Sequence, residues 1–116
     1  MKYQLMIYTD EASEGAASAA EEQSMMAAYG AFAEAAGAAG VLRGGERLRP
    51  TSATTVVRVH DGETLTTDGP YAETKEQLGG YFIVECANLD EAIEWASRIP
   101  GAGRGAIEVR PIWEMD

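Results

Sequence analysis

Apolar and polar positions alternate through "KYQLMIYT", residues 2–9: Tyr3, Leu5 and Ile7 fall on one face, Gln4, Met6 and Tyr8 on the other. That period of two predicts a β-strand, and bulk on both faces suits a central strand with cover on each side. From Ser18 to about Ala39 the period changes. Ala, Glu and Met dominate, and Met25, Tyr29, Phe32 and Ala36 recur at spacings of four, three and four, the stripe of an amphipathic helix. Glu21 and Glu22 lie near its start, where the helix dipole favours anions. Gly30 lies inside the helix at a cost of about 1 kcal/mol against Ala, which close packing on a sheet would explain. "GAAG" at 37–40 ends it.

"VLRGGERLRP" reads as a short strand broken by Gly44-Gly45, a bulge or tight turn. "TTVVRVH" is a better strand. "HDGET" then turns the chain, because Asp-Gly between extended residues is a strong hairpin signal, and "TLTT" returns toward Asp68-Gly69-Pro70. "GGYFIVEC" is rich in aromatic and β-branched residues and predicts another strand. In "NLDEAIEWASRIP" Asn88 is placed to cap a second helix, with Glu91 reaching back three residues later. Leu89, Ala92, Ile93 and Ala96 form its expected buried stripe. "AIEVRPIWE" is the last strand.

The order is therefore β-α-β, a hairpin insert, then β-α-β. This is the split β-α-β arrangement of a ferredoxin-like α+β domain, an antiparallel sheet with two helices on one face. The other face needs cover. Tyr3, Tyr81 or Trp113 would leave an exposed apolar patch in a monomer, and a symmetric homodimer burying sheet against sheet is the simplest answer.

Composition narrows the function classes. At 116 residues the chain is expected to form one domain, residues 1–116, with one core. The net charge of −10 argues against nucleic acid, since the few Lys and Arg are scattered among more numerous acids. No run of about 18 apolar residues is present to span a membrane. The start "MKYQLMIYTDEA" lacks a signal-peptide pattern, so the expected compartment is the cytoplasm. One Cys and one His fall short of a structural zinc site, and Cys86, inside an apolar strand, reads as a buried free thiol.

The segment "DGPYAETKEQLGGYFIVE", followed by "NLDEAIEWASRIP" and "EVRPIWE", resembles the YciI-related family, and within it the DGPF branch. There an Asp-Gly-Pro-aromatic turn leads into an Ala-Glu-Thr-Lys-Glu segment and a Gly-Gly strand. Tyr71 stands where that branch usually carries Phe. The resemblance covers nearly the whole chain. It implies a ferredoxin-like domain that pairs into a dimeric α/β barrel with a cleft at the sheet interface. The wider superfamily includes muconolactone-isomerase-like and dehydrochlorinase-like enzymes acting on small cyclic acids and hydroxylated aromatics. Genes for DGPF proteins often lie beside those for extracytoplasmic-function sigma factors, which implies a sigma-factor-linked system as a partner class. In the YciI branch proper a His in an early helix and an Asp are the proposed active pair, and this sequence has no His in that region.

The candidate site residues follow from chemistry at strand ends. Asp68-Gly69-Pro70 is turn chemistry, because Asp bonds the backbone two residues on and Gly takes unusual dihedrals. A carboxylate at the mouth of a cleft also serves as general acid or base when burial raises its pKa. His60 is the only imidazole and a second proton carrier, or simply an exposed residue at a hairpin edge. Arg58 and Arg110 project from strands among apolar neighbours. Each wants a carboxylate partner (Asp68, Glu73 or Glu108) or can clamp the carboxylate of a small acid. Tyr29 and Trp113 are core or interface aromatics that can also line a pocket. Glu73, Lys75 and Glu76 read as a charged loop with a structural role.

Two function classes result. One is an enzyme without cofactor, a lyase, isomerase or hydrolase on a small cyclic or aromatic acid. Asp68 and His60 would be its catalytic groups, and Arg58, Arg110, Tyr29 and Trp113 would bind substrate. The other is a non-catalytic dimeric ligand-binding or regulatory module, with an accessory dimer for another protein as a variant.

Overall fold

The structure, a computed structural model, describes residues 1–115. Strand β1 (Lys2–Thr9) is followed by a short helix α1 (Glu11–Gly15) and a long helix α2 (Ala19–Ala38). Strand β2 (Leu42–Arg47) leads through a 3-10 turn to β3 (Thr55–His60) and β4 (Glu63–Asp68), then β5 (Gln77–Glu85), α3 (Leu89–Ser97) and β6 (Ala106–Pro111). The four strands β2-β5-β1-β6 form one antiparallel sheet, while β3 and β4 pair with each other as a separate two-stranded sheet. This is the ferredoxin-like α+β arrangement, with the hairpin inserted between β2 and β5.

Alternation decides which face is covered. Tyr3, Leu5, Ile7 and Thr9 are buried beneath the helices, and Leu5 lies opposite Phe82 on one side and Val109 on the other. Burying a leucine contributes about 2 kcal/mol. Phe32 of α2 stacks against Phe82 at 4.8 Å and meets Trp95 of α3 edge-on at 6.0 Å, joining both helices to the sheet. Tyr3, expected as a candidate for the open face, belongs instead to this core. The opposite face carries Gln4, Met6, Tyr8, Leu78, Tyr81 and Ile83, all half-buried.

Both main helices begin as their sequences direct. Ser18 Oγ accepts from the Glu21 amide at 3.1 Å while the Ser18 amide donates to Glu21 at 3.3 Å, a complete capping box. Asn88 accepts from the Glu91 amide at 3.0 Å, and the Glu91 carboxylate reaches back to the Ala87 amide at 3.1 Å.

Two expectations are corrected. In α3 the buried stripe is Ala92, Trp95 and Ala96, whereas Leu89 and Ile93 are 48% and 49% exposed. The helix is rotated so that the large indole, and not two smaller aliphatic chains, meets Phe32; Arg98 covers the indole at 4.2 Å. Gly30 makes no close approach to the sheet, since a Cβ there would meet nothing within 4 Å.

The hairpin turns through Asp61 and Gly62, both with positive φ (49° and 79°), the backbone of a two-residue I′ turn. Its residues are almost all exposed, including Val57 at 60% and Val59 at 70%. The radius of gyration, 16.1 Å, exceeds the value of about 13 Å for a compact chain of this length, because the hairpin projects from a slab only 19 Å thick.

Candidate functional site

A cavity of about 330 Å³ opens between the N-terminal half of α2 and one end of the sheet. Its floor is short of side chains. Gly80 lies opposite Ile7 on β1 and Arg47 on β2, and Gly79 and Gly45 flank it. The strands approach too closely there for anything larger: a Cβ on Gly80 would lie 2.9 Å from the Glu46 carbonyl oxygen, and one on Gly45 would lie 2.6 Å from the Phe82 ring. Met25 and Tyr29 of α2 form the roof, Ile7 and Phe82 supply apolar wall, and α1 with the following residues closes one side through Glu14 and Ala17.

Tyr29 brings a phenol hydroxyl to the cavity. Burial pushes its phenol above the ordinary tyrosine value, and the negative charge of Glu14 pushes the same way. The Gly101 backbone and the guanidinium groups of Arg104 and Arg47 pull it down by less. The hydroxyl therefore keeps its proton throughout the neutral range and acts as a hydrogen-bond donor. Gly101 gives it room, since a Cβ there would stand 2.7 Å from the Tyr29 oxygen. Arg47 and Arg104 line the cavity and, among the described residues, form no ion pair. The cavity thus offers an apolar wall, a neutral phenol donor and the guanidinium groups of Arg47 and Arg104, set among the carboxylates of Glu14, Glu21, Glu22 and Glu46.

The residues expected from the sequence are dispersed by comparison. Tyr29 lies in the cavity. Asp68 ends β4 at the hairpin base, where Gly69 (φ 100°) donates its amide to the Thr54 carbonyl at 2.8 Å; the Asp68 side chain is exposed. His60 lies at the hairpin tip, opposite Glu63, with Nε2 3.2 Å from the Asp61 carboxylate. Five residue steps along β4 separate Glu63, the pairing partner of His60, from Asp68, roughly 17 Å of strand, so the hairpin holds the two apart. Arg58 places its guanidinium 5.1 Å from the Tyr71 ring centre. Arg110 lies on the far face of the sheet opposite Gln4, and Trp113 beyond it is 89% exposed. Cys86 is buried, and burial, aided by the charge of Glu91, raises its thiol above the usual range, the opposite of an activated nucleophile.

Sequence reading missed Arg47 and Arg104. Neither has a local signal, and both reach the cavity only because β2 and the loop after α3 end beside α2. The glycine pairs were a readable signal, since Gly44-Gly45 and Gly79-Gly80 lie on adjacent strands.

The model of the YCII-related domain matches residues 1–116. The chain belongs to the YCII-related family. An uncharacterized protein of Rhizobium meliloti (strain 1021) is 40% identical over 114 residues, spanning 97% of this chain and 92% of its own. In this YCII-related chain, among the described residues, no helix is long and apolar enough to cross a membrane. No group of three or more His, Cys, Asp or Glu converges there as a metal site.

Proposed function

We propose that this protein is a small enzyme that binds a partly apolar organic acid in the cavity beneath α2 and acts on it by proton transfer without a cofactor, as a lyase, isomerase or hydrolase. The observation that carries this reading is the Tyr29 hydroxyl, held protonated in a cavity that also presents Arg47 and Arg104. The guanidinium groups suit a carboxylate, Met25, Ile7 and Phe82 suit a ring, and Tyr29 is placed to stabilise an oxyanion formed on the ligand. Of the carboxylates that line the cavity (Glu14, Glu21, Glu22 and Glu46), Glu14 is the one whose charge reaches Tyr29, and it is the proposed proton acceptor.

A second copy of the chain is the proposed partner. The far face of the sheet is only half-buried and the projecting hairpin is exposed, and a two-stranded hairpin is marginal by itself in water. Asp68, His60, Arg58 and Arg110 lie on these surfaces, where a homodimer would gather them. Light scattering after size exclusion tests this part, and a stable monomer refutes it.

The ligand reading is tested by a thermal-shift screen of small carboxylic acids, lactones and phenols, followed by turnover assays on any compound that stabilises the fold. A cyclic or aromatic acid is expected to raise Tm in the wild type and not in Arg104→Ala. Tyr29→Phe should bind the same compound while its turnover falls by about 10²-fold or more. Binding without consumption by the wild type would transfer the protein to the non-catalytic ligand-binding class. No shift with any acid would remove the cavity reading.

A further inference from the structure

Helix α1 forms one wall of the cavity, yet little within the helix holds it there. It has five residues, none of them buried, and a helix this short does not persist in water by itself. Its cap is local: Asp10 accepts from the Ala12 amide at 3.1 Å and from the Ser13 hydroxyl at 3.0 Å. The long-range ties run through Glu11. Its carboxylate accepts from the Thr51 amide at 2.8 Å and, through the other oxygen, from the Thr51 hydroxyl at 2.7 Å. Its amide donates to the Gln77 side-chain oxygen at 3.0 Å, and the Gln77 side-chain nitrogen donates to the Thr74 carbonyl. Hydrogen bonds to an ionised carboxylate are roughly twice as strong as neutral ones, and a paired set also fixes direction.

We propose that Glu11 and Gln77 are positioning residues of the cavity: they clamp α1 against the hairpin base and the Thr74–Gln77 segment, and so set Glu14 beside Tyr29. The clamp assigns work to part of the segment after Pro70, which leads through Gln77 into the Gly79-Gly80 floor of the cavity. Its consequence for ligand binding rests on the cavity reading above; its effect on Tyr29 does not.

That separation supplies the test. Tyrosines labelled with ¹³C at Cζ report each phenol titration by NMR, with Tyr29→Phe assigning the Tyr29 signal. Tyr29 is faced by Glu14, from α1, and by Arg47 and Arg104; Glu21 and Glu22 of α2 and Glu46 of β2 line the same cavity. In Glu11→Ala and Gln77→Ala, water enters beside a loosened α1 and Glu14 moves away, so the Tyr29 titration should fall toward the ordinary tyrosine value. Glu11→Gln retains an acceptor for the Thr51 amide and should restore most of the wild-type titration. Glu14→Gln, with the clamp intact, should reproduce only the charge-dependent part of the fall. Unchanged Tyr29 titration in folded Glu11→Ala and Gln77→Ala would overturn the proposal. If Glu11→Ala fails to fold, Thr51→Val removes the hydroxyl partner alone, and the Tyr29 titration decides in the same way. Benzoate serves as the ligand probe, and its Kd should rise about tenfold or more in Glu11→Ala. No benzoate binding by the wild type would count against the cavity reading, while the titration would still decide the clamp.

Discussion

Helix α2 carries one apolar stripe, but its two halves meet different surfaces. In the C-terminal half Phe32 and Ala36 are 5% and 0% exposed and press against Phe82 and its neighbours. Nearer the N-terminus Met25 and Tyr29, on the same stripe, are only half-buried, because the sheet below them presents Gly79, Gly80 and Gly45. The cavity is therefore a property of the floor and not of the helix. One half of the interface supplies cohesion, and the other leaves apolar surface and a phenol available to a ligand. Both halves share one rigid helix, so the tightly packed end can hold the roof of the cavity in place.

Substitutions along the stripe test that contrast most strongly. Phe32→Ala removes a buried ring and should cost about 3–5 kcal/mol in urea unfolding, whereas Met25→Ala should cost less than about 1 kcal/mol because its site already borders open space. Similar losses at both positions would erase the distinction between the halves. A smaller effect is expected at the cavity's edge. Gly101→Ala would place a Cβ 2.7 Å from the Tyr29 oxygen and 2.8 Å from Ile7 Cγ2. Overpacking of this kind should cost about 1–3 kcal/mol and turn Tyr29 from its position, seen as a changed Tyr29 resonance and a weakened ligand shift. The smallest effect has the opposite sign. Gly30 sits in the middle of α2 with nothing near its missing side chain, so Gly30→Ala should stabilise the fold by about 0.5–1 kcal/mol without altering ligand binding. A loss of stability there would mean that Gly30 packs against something in solution, such as a second chain.

Much of the fold was legible because the relevant signals are local. The period of β1 and of α2, the Ser18–Glu21 box, the Asn88 cap and the Asp61-Gly62 turn each need only a few neighbouring residues. α1 was not legible, since five residues fixed by a side chain from Thr51 and another from Gln77 leave no periodic trace. The rotation of α3 was misread for a related reason. Periodicity offers the stripe of Leu89, Ala92, Ile93 and Ala96 and the stripe of Ala92, Trp95 and Ala96 almost equally, and Phe32, from another helix, selects the second. The site divides in the same manner. Tyr29 was named from the sequence, whereas Arg47, Arg104, Glu14 and Glu11 reach it from segments whose own residues say nothing about the cavity.

By itself, then, the sequence determined where strands and helices run, how they are capped and turned, and which faces are apolar, because backbone dihedrals and hydrophobic alternation are short-range properties. Only the tertiary structure decided that a glycine-paved end of the sheet would lie beneath half of α2. It alone set two arginines beside a half-buried phenol and separated His60 from Asp68 along the hairpin. Those outcomes depend on strand order and register, which join residues distant in sequence through hydrogen bonds that carry no trace of the side chains they bring together.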